Sequence, residues 1–223
     1  MESKFLSQYN NLPSDNISKK ICFIMNNITK SNLKSQINEI ISIIPNNSIQ
    51  WLAYSLLNRI ATESNQHDVY YEFILMITTY YANFDKLILK LLVNEIHYLL
   101  NVLNFNTTSN GKVLKYFGRF LGRLSIAHDL PLLLDINALI YTTYINKSNS
   151  LNYIIQFITE LLKNIKYNSR IKLYNSWIKE ILEVLKELHS ITDKLTIQFE
   201  IELLFNYLEC DFNQWRTAYY LRQ

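Results

Sequence analysis

The chain has 223 residues, with 22 basic and 19 acidic side chains and a formal net charge of +3. A dedicated nucleic-acid-binding module would show a basic cluster and a higher isoelectric point, so composition favours at most weak RNA contact. With only three glycines and three prolines, the chain has little of the turn chemistry that a β-rich fold needs. The apolar fraction of 49% indicates a folded domain rather than a disordered chain.

Cysteine usage and apolar runs bear on the compartment. Cys22 and Cys210 are too few and too far apart for a disulfide framework, which favours a reducing compartment. No apolar run approaches the roughly 18–20 residues of a membrane span, and the first residues lack the apolar core of a secretory signal. We therefore expect a soluble, intracellular protein.

Apolar residues recur at helical spacing along most of the chain. Asn, Asp, Ser or Thr often precedes a periodic segment, where its side chain can accept first-turn N–H groups. Helices are predicted over these ranges: 15–29, 32–44, 48–62, 67–81, 84–103, 112–128, 135–146, 149–166, 171–190 and 194–209. Pro45 should end the second helix, because its ring removes a donor. Residues 106–111 are predicted as a loop, and a short helix could follow Asp211.

Ten helices with short connections form about five antiparallel pairs, and no strand alternation competes with them. The fold predicted is all-α, an α-solenoid of HEAT-like helical hairpins. The predicted domain organisation is a flexible N-terminal lead over 1–12, a single domain over 13–215, and a C-terminal tail or short helix over 216–223.

The last two predicted helices show the hairpin pattern most clearly. Their apolar stripes are, on the first, Leu173, Trp177, Ile181, Val184 and Leu188, and on the second, Ile197, Ile201, Leu204 and Leu208. Phe199 and Leu203 are expected to widen the buried face of the second helix. Joined by 189–193, the two helices should fold back on each other to bury these stripes.

Small and basic residues share the helix predicted over 112–128. Gly118, Gly122 and Ser125 follow at i, i+4 and i+7, which favours close approach of another helix over a phosphate-binding loop, because no strand precedes them. The same helix carries a basic row of Lys115, Arg119 and Arg123. That row is either a solvated face or a docking row for acidic partner residues.

Residues for catalysis or metal binding are not grouped in the sequence. The four histidines, with no His-x3-His spacing and no cysteine pair nearby, are His67, His97, His128 and His189. His189 and Asp193 at i, i+4 are expected to brace a helix end and its loop. We therefore predict no metal, no cofactor, no catalytic residue and no enzymatic activity.

The segment 58–67 ends one predicted helix and begins the next. It gathers Arg59, Glu63, Asn65 and His67 at one turn. Such turns along one edge of a repeat array are frequent partner sites. Ordinary capping of two helices explains the same residues, and both interpretations stay open on physical grounds.

Three segments carry a family resemblance: Ser18–Leu33, Gly118–Pro131 and Trp177–Leu208. Together they resemble the central HEAT-repeat domain of the large Not scaffold subunit of the Ccr–Not deadenylase complex. This domain belongs to the class named after the middle domain of initiation factor 4G. The resemblance extends from about Pro13 to about Trp215.

The resemblance implies a non-catalytic platform that binds a Caf-type poly(A) deadenylase and a DEAD-box RNA helicase during mRNA decay and translational repression. Other Ccr–Not subunits would bind elsewhere on a longer chain. It implies a cytoplasmic location in mRNA-decay granules, with nuclear location also compatible. An alternative is a translation-initiation or nonsense-decay adaptor of the same fold that binds a helicase and RNA directly.

Site residues follow from the same resemblance. The helicase-binding residues it implies are Arg59, Glu63, Asn65, Gln66 and His67, although Gln66 stands where the family pattern has an aromatic residue. The deadenylase-binding residues we predict are Phe120, Arg123, Ala127, His128, Asp129, Leu130 and Pro131. The second set is expected to combine exposed apolar edges with charge, as stable interfaces do.

Overall fold

A computed structural model describes residues 12–102, 108–128, 130, 132, 134–146, 149–168, 173 and 175–222. Within these ranges the chain forms ten α-helices and no strand. The helices are α1 Asp15–Asn26, α2 Leu33–Ile43, α3 Ile49–Thr62, α4 His67–Thr78, α5 Phe84–Val102, α6 Thr108–Leu124, α7 Ile136–Ile145, α8 Leu151–Leu162, α9 Ser176–Ile191 and α10 Leu195–Tyr207. The all-α fold predicted from helical periodicity is confirmed, and its architecture is that of the α-solenoid class.

Helix boundaries reflect local chemistry where it is strong. Ile44 takes an extended conformation before Pro45, so α2 ends where the proline predicts. The carboxylate of Asp135 accepts the Ala138 N–H at 2.9 Å and caps α7. The side chain of Asn175 likewise accepts the Trp177 N–H, so α9 begins at Ser176 rather than at the predicted residue 171.

The loop predicted over 106–111 is wrong for residues 108–111. These residues form the first turn of α6, while residues 103–107 lie outside the described part of the chain. Gly111 is buried in that turn, and a Cβ there would lie closer than 3.0 Å to the ring of Tyr153 on α8. Tertiary packing therefore overrides the low helix propensity of this polar, glycine-containing tract.

The chain divides into two compact units, Met1–Leu92 and Val93–Gln223, with the boundary inside α5. In the first unit α2 packs against both α1 and α4, and α3 packs against α4. Apolar side chains with no exposed surface fill its core: Ile21, Ile37, Ile40, Leu52, Leu56, Ile60, Tyr70, Phe73, Ile74, Ile77 and Ile88. Burial of this apolar area is the main stabilising contribution in this unit.

In the second unit α8 is central. It packs most closely against α6 and also contacts α7 and α10, while α9 pairs with α10. On α9 the predicted stripe is buried at Ile181, Val184 and Leu188. Trp177 is half-buried, and Leu173 lies in the turn before the helix.

On α10 the predicted main stripe is confirmed, since Ile197, Ile201, Leu204 and Leu208 are at most 4% exposed. The expectation that Phe199 and Leu203 widen this face is wrong. They are 61% and 41% exposed, because the side of α10 that meets α8 and α9 is already filled by the main stripe.

Within the part of the chain that the structure describes, no helix is both long and apolar enough to pass through a bilayer. Cys22 and Cys210 are free thiols, each half-buried.

Candidate docking surfaces

The first candidate surface is the 59–67 turn, which connects α3 to α4. Glu63 leaves the helical conformation, Ser64–Gln66 form one 3₁₀ turn, and α4 begins at His67. The Nε2 atom of His67 lies 2.8 Å from the carbonyl oxygen of Ile60. His67 is only 7% exposed, so its ring joins the two helix ends rather than facing a partner.

Arg59 and Glu63 form the charged centre of the 59–67 turn. The Nη1 atom of Arg59 lies 3.2 Å from Oε1 of Glu63, and its Nη2 donates to the carbonyl oxygen of Cys22 at 3.4 Å. The Arg59 side chain is 14% exposed and that of Glu63 is 38% exposed. Arg59 therefore positions Glu63, and Glu63 is the charge that a partner could reach.

Tyr70 on α4 completes this arrangement. Its hydroxyl donates a hydrogen bond to Oε2 of Glu63. Burial, followed by this hydrogen bond and the negative charge of Glu63, raises the pKa of Tyr70 well above its usual range. The tyrosine therefore stays a neutral donor at physiological pH and fixes the orientation of the carboxylate.

The structure brings the five predicted helicase-binding residues together at one turn, but they do not have equal access to solvent. Asn65 is exposed, and Glu63 and Gln66 are partly exposed. Arg59 and His67 act as internal supports. Sequence reasoning missed Tyr70, because it lies on the helix after the turn and no local spacing rule links it to Glu63.

The second candidate surface, which we call the 120–131 turn, comprises the end of α6 and the turn that follows it. The glycines of α6 explain its position, because a Cβ on Gly118 would lie closer than 3.0 Å to the carbonyl oxygen of Phe157. A Cβ on Gly122 would similarly meet the Asn164 side chain and the Leu161 carbonyl. The close helix approach predicted from the small-residue strip is confirmed, and α8 is the helix that approaches.

After α6 the chain turns through a short 3₁₀ helix over Ile126–His128. The backbone N–H of Leu130 donates to the carbonyl oxygen of Ser125 at 3.1 Å, and the side chain of Asn168 donates to the carbonyl oxygen of Ile126. The first bond closes the turn itself, and the second holds the turn against the segment that follows α8. Leu130 is left 44% exposed, which makes it the apolar edge expected of this surface.

The five described residues of the seven predicted for deadenylase binding differ in their exposure. His128 and Leu130 are exposed, and Arg123 and Ala127 are half-buried. Phe120 is 1% exposed, so its prediction as a surface residue is wrong: it lies on the core side of α6. Asp129 and Pro131 lie outside the described residues.

The basic row of α6 is neither fully solvated nor free. The Nε atom of Arg119 lies 3.8 Å from Oε2 of Glu160, and the guanidinium carbon of Arg123 lies 4.3 Å from the centroid of the Tyr167 ring. Lys115 is half-buried. Two of the three cations therefore contact the end of α8 and the residues that follow it.

Nothing in the described ranges brings together three side chains that could hold a metal ion.

His189 contacts the neighbouring helix. Its Nε2 atom lies 2.8 Å from Oε1 of Glu202 on α10, so it connects α9 to α10 rather than contacting the exposed Asp193. Its hairpin is also tied by Gln198, whose side chain donates to the carbonyl oxygen of Thr192 at 2.9 Å. The predicted bracing role of His189 is thus observed with a different partner.

Comparison with known proteins identifies the family. The family model of the CCR4-NOT transcription complex subunit 1 CAF1-binding domain matches residues 9–223. The chain belongs to this CAF1-binding domain family. The resemblance to the large Not scaffold subunit is therefore confirmed over nearly the whole sequence.

Two full-length relatives of the CAF1-binding domain agree with this assignment. The chain is 32% identical to CCR4-NOT transcription complex subunit let-711 of Caenorhabditis elegans over 214 residues, which cover 91% of this chain and 8% of that protein. It is 26% identical to General negative regulator of transcription subunit 1 of Saccharomyces cerevisiae over 197 residues, covering 86% of this chain and 9% of that protein. The chain thus spans less than a tenth of the length of these relatives.

Proposed function

We propose that this CAF1-binding domain is a non-catalytic scaffold that docks a Caf-type poly(A) deadenylase through the 120–131 turn. The observation that carries the proposal is the family match over residues 9–223. The turn supports it physically, because Leu130 offers an exposed apolar side chain beside the polar His128 and the half-buried Arg123. Apolar contact surrounded by polar groups is the usual composition of a stable interface.

A scaffold of this kind acts by proximity. Holding the deadenylase on a chain that also binds other factors raises the effective concentration of the nuclease near its mRNA substrate without changing its chemistry. The hydrogen bonds from the Leu130 N–H and the Asn168 side chain fix the turn before binding, which lowers the conformational entropy lost on docking. Cytoplasmic mRNA-decay granules are the proposed place of action.

The 59–67 turn is the second docking surface in this proposal, and a DEAD-box RNA helicase is its partner. Glu63 is oriented by Arg59 on one side and Tyr70 on the other, so the carboxylate can be presented to a basic partner group without further ordering. Asn65, exposed beside it, supplies amide donors and acceptors. Gln66 contributes a polar contact where relatives of the resembled class carry an aromatic ring.

Binding of the purified chain to the cognate deadenylase tests the main part of this proposal. A stable complex on size-exclusion chromatography at micromolar concentrations is expected, and its absence would remove deadenylase docking. For the helicase, Asn65→Arg should weaken the helicase complex while leaving the deadenylase complex intact. Asn94→Arg, at an exposed asparagine of α5, is the matched control. Equal loss with both variants would place the helicase elsewhere.

A further inference from the structure

Charged and aromatic side chains that are far apart in sequence meet on one face of the second unit. They come from the end of α6, from the 3₁₀ helix Lys163–Tyr167 that follows α8, and from the end of α10. We name this group the cation–tyrosine cluster, and its members are Arg119, Arg123, Lys163, Lys166, Tyr167 and Tyr207.

The cations of the cluster lie against its two rings. The guanidinium carbon of Arg123 is 4.3 Å from the centroid of Tyr167. The Nζ atom of Lys166 is 4.6 Å from the centroid of Tyr207, and that of Lys163 is 5.9 Å from the same ring. These are cation–π distances. Tyr167 is 58% exposed and Tyr207 is 37% exposed, so both rings keep surface that another flat group could contact.

Two carboxylates offset part of the positive charge. Glu160 lies 2.6 Å from Lys163 and 3.8 Å from Arg119, and its side chain is only 12% exposed. Glu209 lies 2.8 Å from Lys166 and is 81% exposed. Four cations against two anions leave a local charge of +2, and the less exposed anion lies beneath its partners. The outward potential of this face is therefore positive.

The cluster is held on a fixed support. The side chain of Asn164 is buried and donates to the carbonyl oxygens of Arg119 at 3.2 Å and of Glu160 at 3.0 Å. Gly122 makes room for it, because a Cβ there would lie closer than 3.0 Å to the Asn164 amide. The 3₁₀ helix that carries Tyr167 is thus fastened to α6, and the Tyr167 ring is positioned before any ligand arrives.

We propose that the cation–tyrosine cluster binds single-stranded RNA. Phosphate groups would lie against Arg119, Lys163 and Lys166, and bases would stack on the exposed rings of Tyr167 and Tyr207. Proteins that bind single strands without sequence preference combine positive charges along the phosphate backbone with aromatic rings on which the bases stack. The cluster offers both. An acidic peptide would use the cations but leave the two rings without a stacking partner.

This inference goes beyond deadenylase docking and does not depend on it. The cluster shares Arg123 with the 120–131 turn, so RNA bound here would lie beside the proposed deadenylase surface.

Tyr207 is a neutral contact for a phosphate-rich ligand, because burial, followed by the neighbouring Tyr167, raises the pKa of its hydroxyl. The affinity expected of so small a charged face is in the micromolar range at physiological salt.

The test is fluorescence anisotropy of the 223-residue chain with a labelled oligoadenylate of about 15 nucleotides, without any deadenylase. Binding should weaken steeply as salt rises from about 50 to about 200 mM. The double variant Tyr167→Ala, Tyr207→Ala should lose about 10-fold or more in affinity through lost stacking. Its control is Tyr80→Ala, Tyr98→Ala, which removes two tyrosines that are 54% and 46% exposed elsewhere.

Charge is tested separately with Lys166→Glu, which should weaken binding about 5-fold or more and lower the salt dependence. Lys30→Glu is the matched control, because Lys30 is also an exposed lysine in a surface ion pair, with Glu72. No binding at low salt would overturn the proposal. So would equal losses in test and control variants, or oligoglutamate binding the cluster while oligoadenylate does not. A deadenylase pull-down with the same variants should be unchanged, which separates this result from the proposed docking function.

Discussion

The hydroxyl of Tyr70 donates a hydrogen bond to the carboxylate of Glu63, and this pair fastens α4 to the turn that precedes it. Arg59 holds the other oxygen of the same carboxylate at 3.2 Å. A single acidic side chain at the end of α3 is thus oriented by a neutral donor and a cation from two helices. The proposed helicase surface depends on this orientation.

Tyr70→Phe should lower the free energy of unfolding by about 1–2 kcal/mol at neutral pH, since it removes a partly buried hydrogen bond to a charged acceptor. The pKa of Tyr70 is raised in the folded state, so the contribution of the hydroxyl is complete below the ordinary value of about 10. It is lost as the pH rises beyond that value towards the folded-state pKa.

Urea unfolding at several pH values checks this prediction. The difference between the native chain and Tyr70→Phe should shrink above a pH of about 10. Tyr98→Phe, at a tyrosine that is 46% exposed, should change little at any pH. A difference for Tyr70→Phe that stays constant through alkaline pH would contradict the assigned hydrogen bond.

Gly118→Ala should destabilise the chain by about 1–3 kcal/mol, although alanine is intrinsically the better helix former. Its Cβ would lie closer than 3.0 Å to the Phe157 carbonyl oxygen, and backbone cannot move aside cheaply. The atoms nearest a Cβ on Gly111 belong to the Tyr153 side chain, which can shift through its χ1 angle more readily than backbone, so the cost of Gly111→Ala should be smaller. Urea denaturation of both variants shows which of them loses more free energy of unfolding. A stabilised Gly118→Ala variant would show that α6 and α8 lie farther apart.

Glu95→Gln should raise the free energy of unfolding at neutral pH. Glu95 is 7% exposed, and this burial raises the pKa of its carboxyl. Between the unfolded and folded pKa values the folded chain binds more protons, so the native chain gains stability as the pH falls through this window. The advantage of glutamine should therefore disappear towards a pH of about 4.

Thermal or urea unfolding across this pH range measures the effect. Glu180→Gln, at an exposed glutamate of α9, is the control and should give a nearly constant difference. A Glu95→Gln variant that is less stable than the native chain at neutral pH would mean that the carboxylate has a compensating partner.

Glu187→Ala should release the C-terminal segment. Glu187 is completely buried on α9, and its Oε2 accepts the backbone N–H groups of Tyr220 at 2.7 Å and Leu221 at 3.1 Å. Leaving the buried Leu221 N–H without its acceptor costs about 1–3 kcal/mol, and the part-buried Tyr220 N–H loses its acceptor as well. Hydrogen exchange should rise over residues 218–222 and stay unchanged in α1–α4, whereas uniform acceleration would indicate global unfolding instead.

Helical periodicity predicted most of this fold, because the apolar stripes of α9 and α10 record which sides are buried. It could not decide the fate of every apolar residue. Phe199 and Leu203 are as hydrophobic as their buried neighbours, but only the arrangement of α8 and α9 determines that they face solvent. Conversely, Phe120 was predicted at the surface beside Arg123, but its side chain lies on the core side of α6 and is buried.

The candidate sites were predictable to different degrees for the same reason. Arg59 lies in the last turn of α3 and Glu63 follows that helix directly, four residues later, so their pairing follows from local geometry. The cation–tyrosine cluster had no local signal, since Arg123, Lys166 and Tyr207 come from three separate elements. Arg123 reaches the cluster through the close approach of α6 and α8 that Gly118 and Gly122 permit, and Tyr207 reaches it through the packing of α10 against α8.

The central claim, that this domain docks a deadenylase through the 120–131 turn, is tested most directly by titration calorimetry with the purified Caf-type deadenylase. Leu130→Asp places a charge at an apolar side chain that is 44% exposed, and Leu75→Asp makes the same change at one that is 45% exposed on α4. The native chain and Leu75→Asp should bind alike with one-to-one stoichiometry, while Leu130→Asp should bind about 10-fold more weakly or worse. No heat of binding from the native chain, or equal affinities for the two variants, would contradict the account.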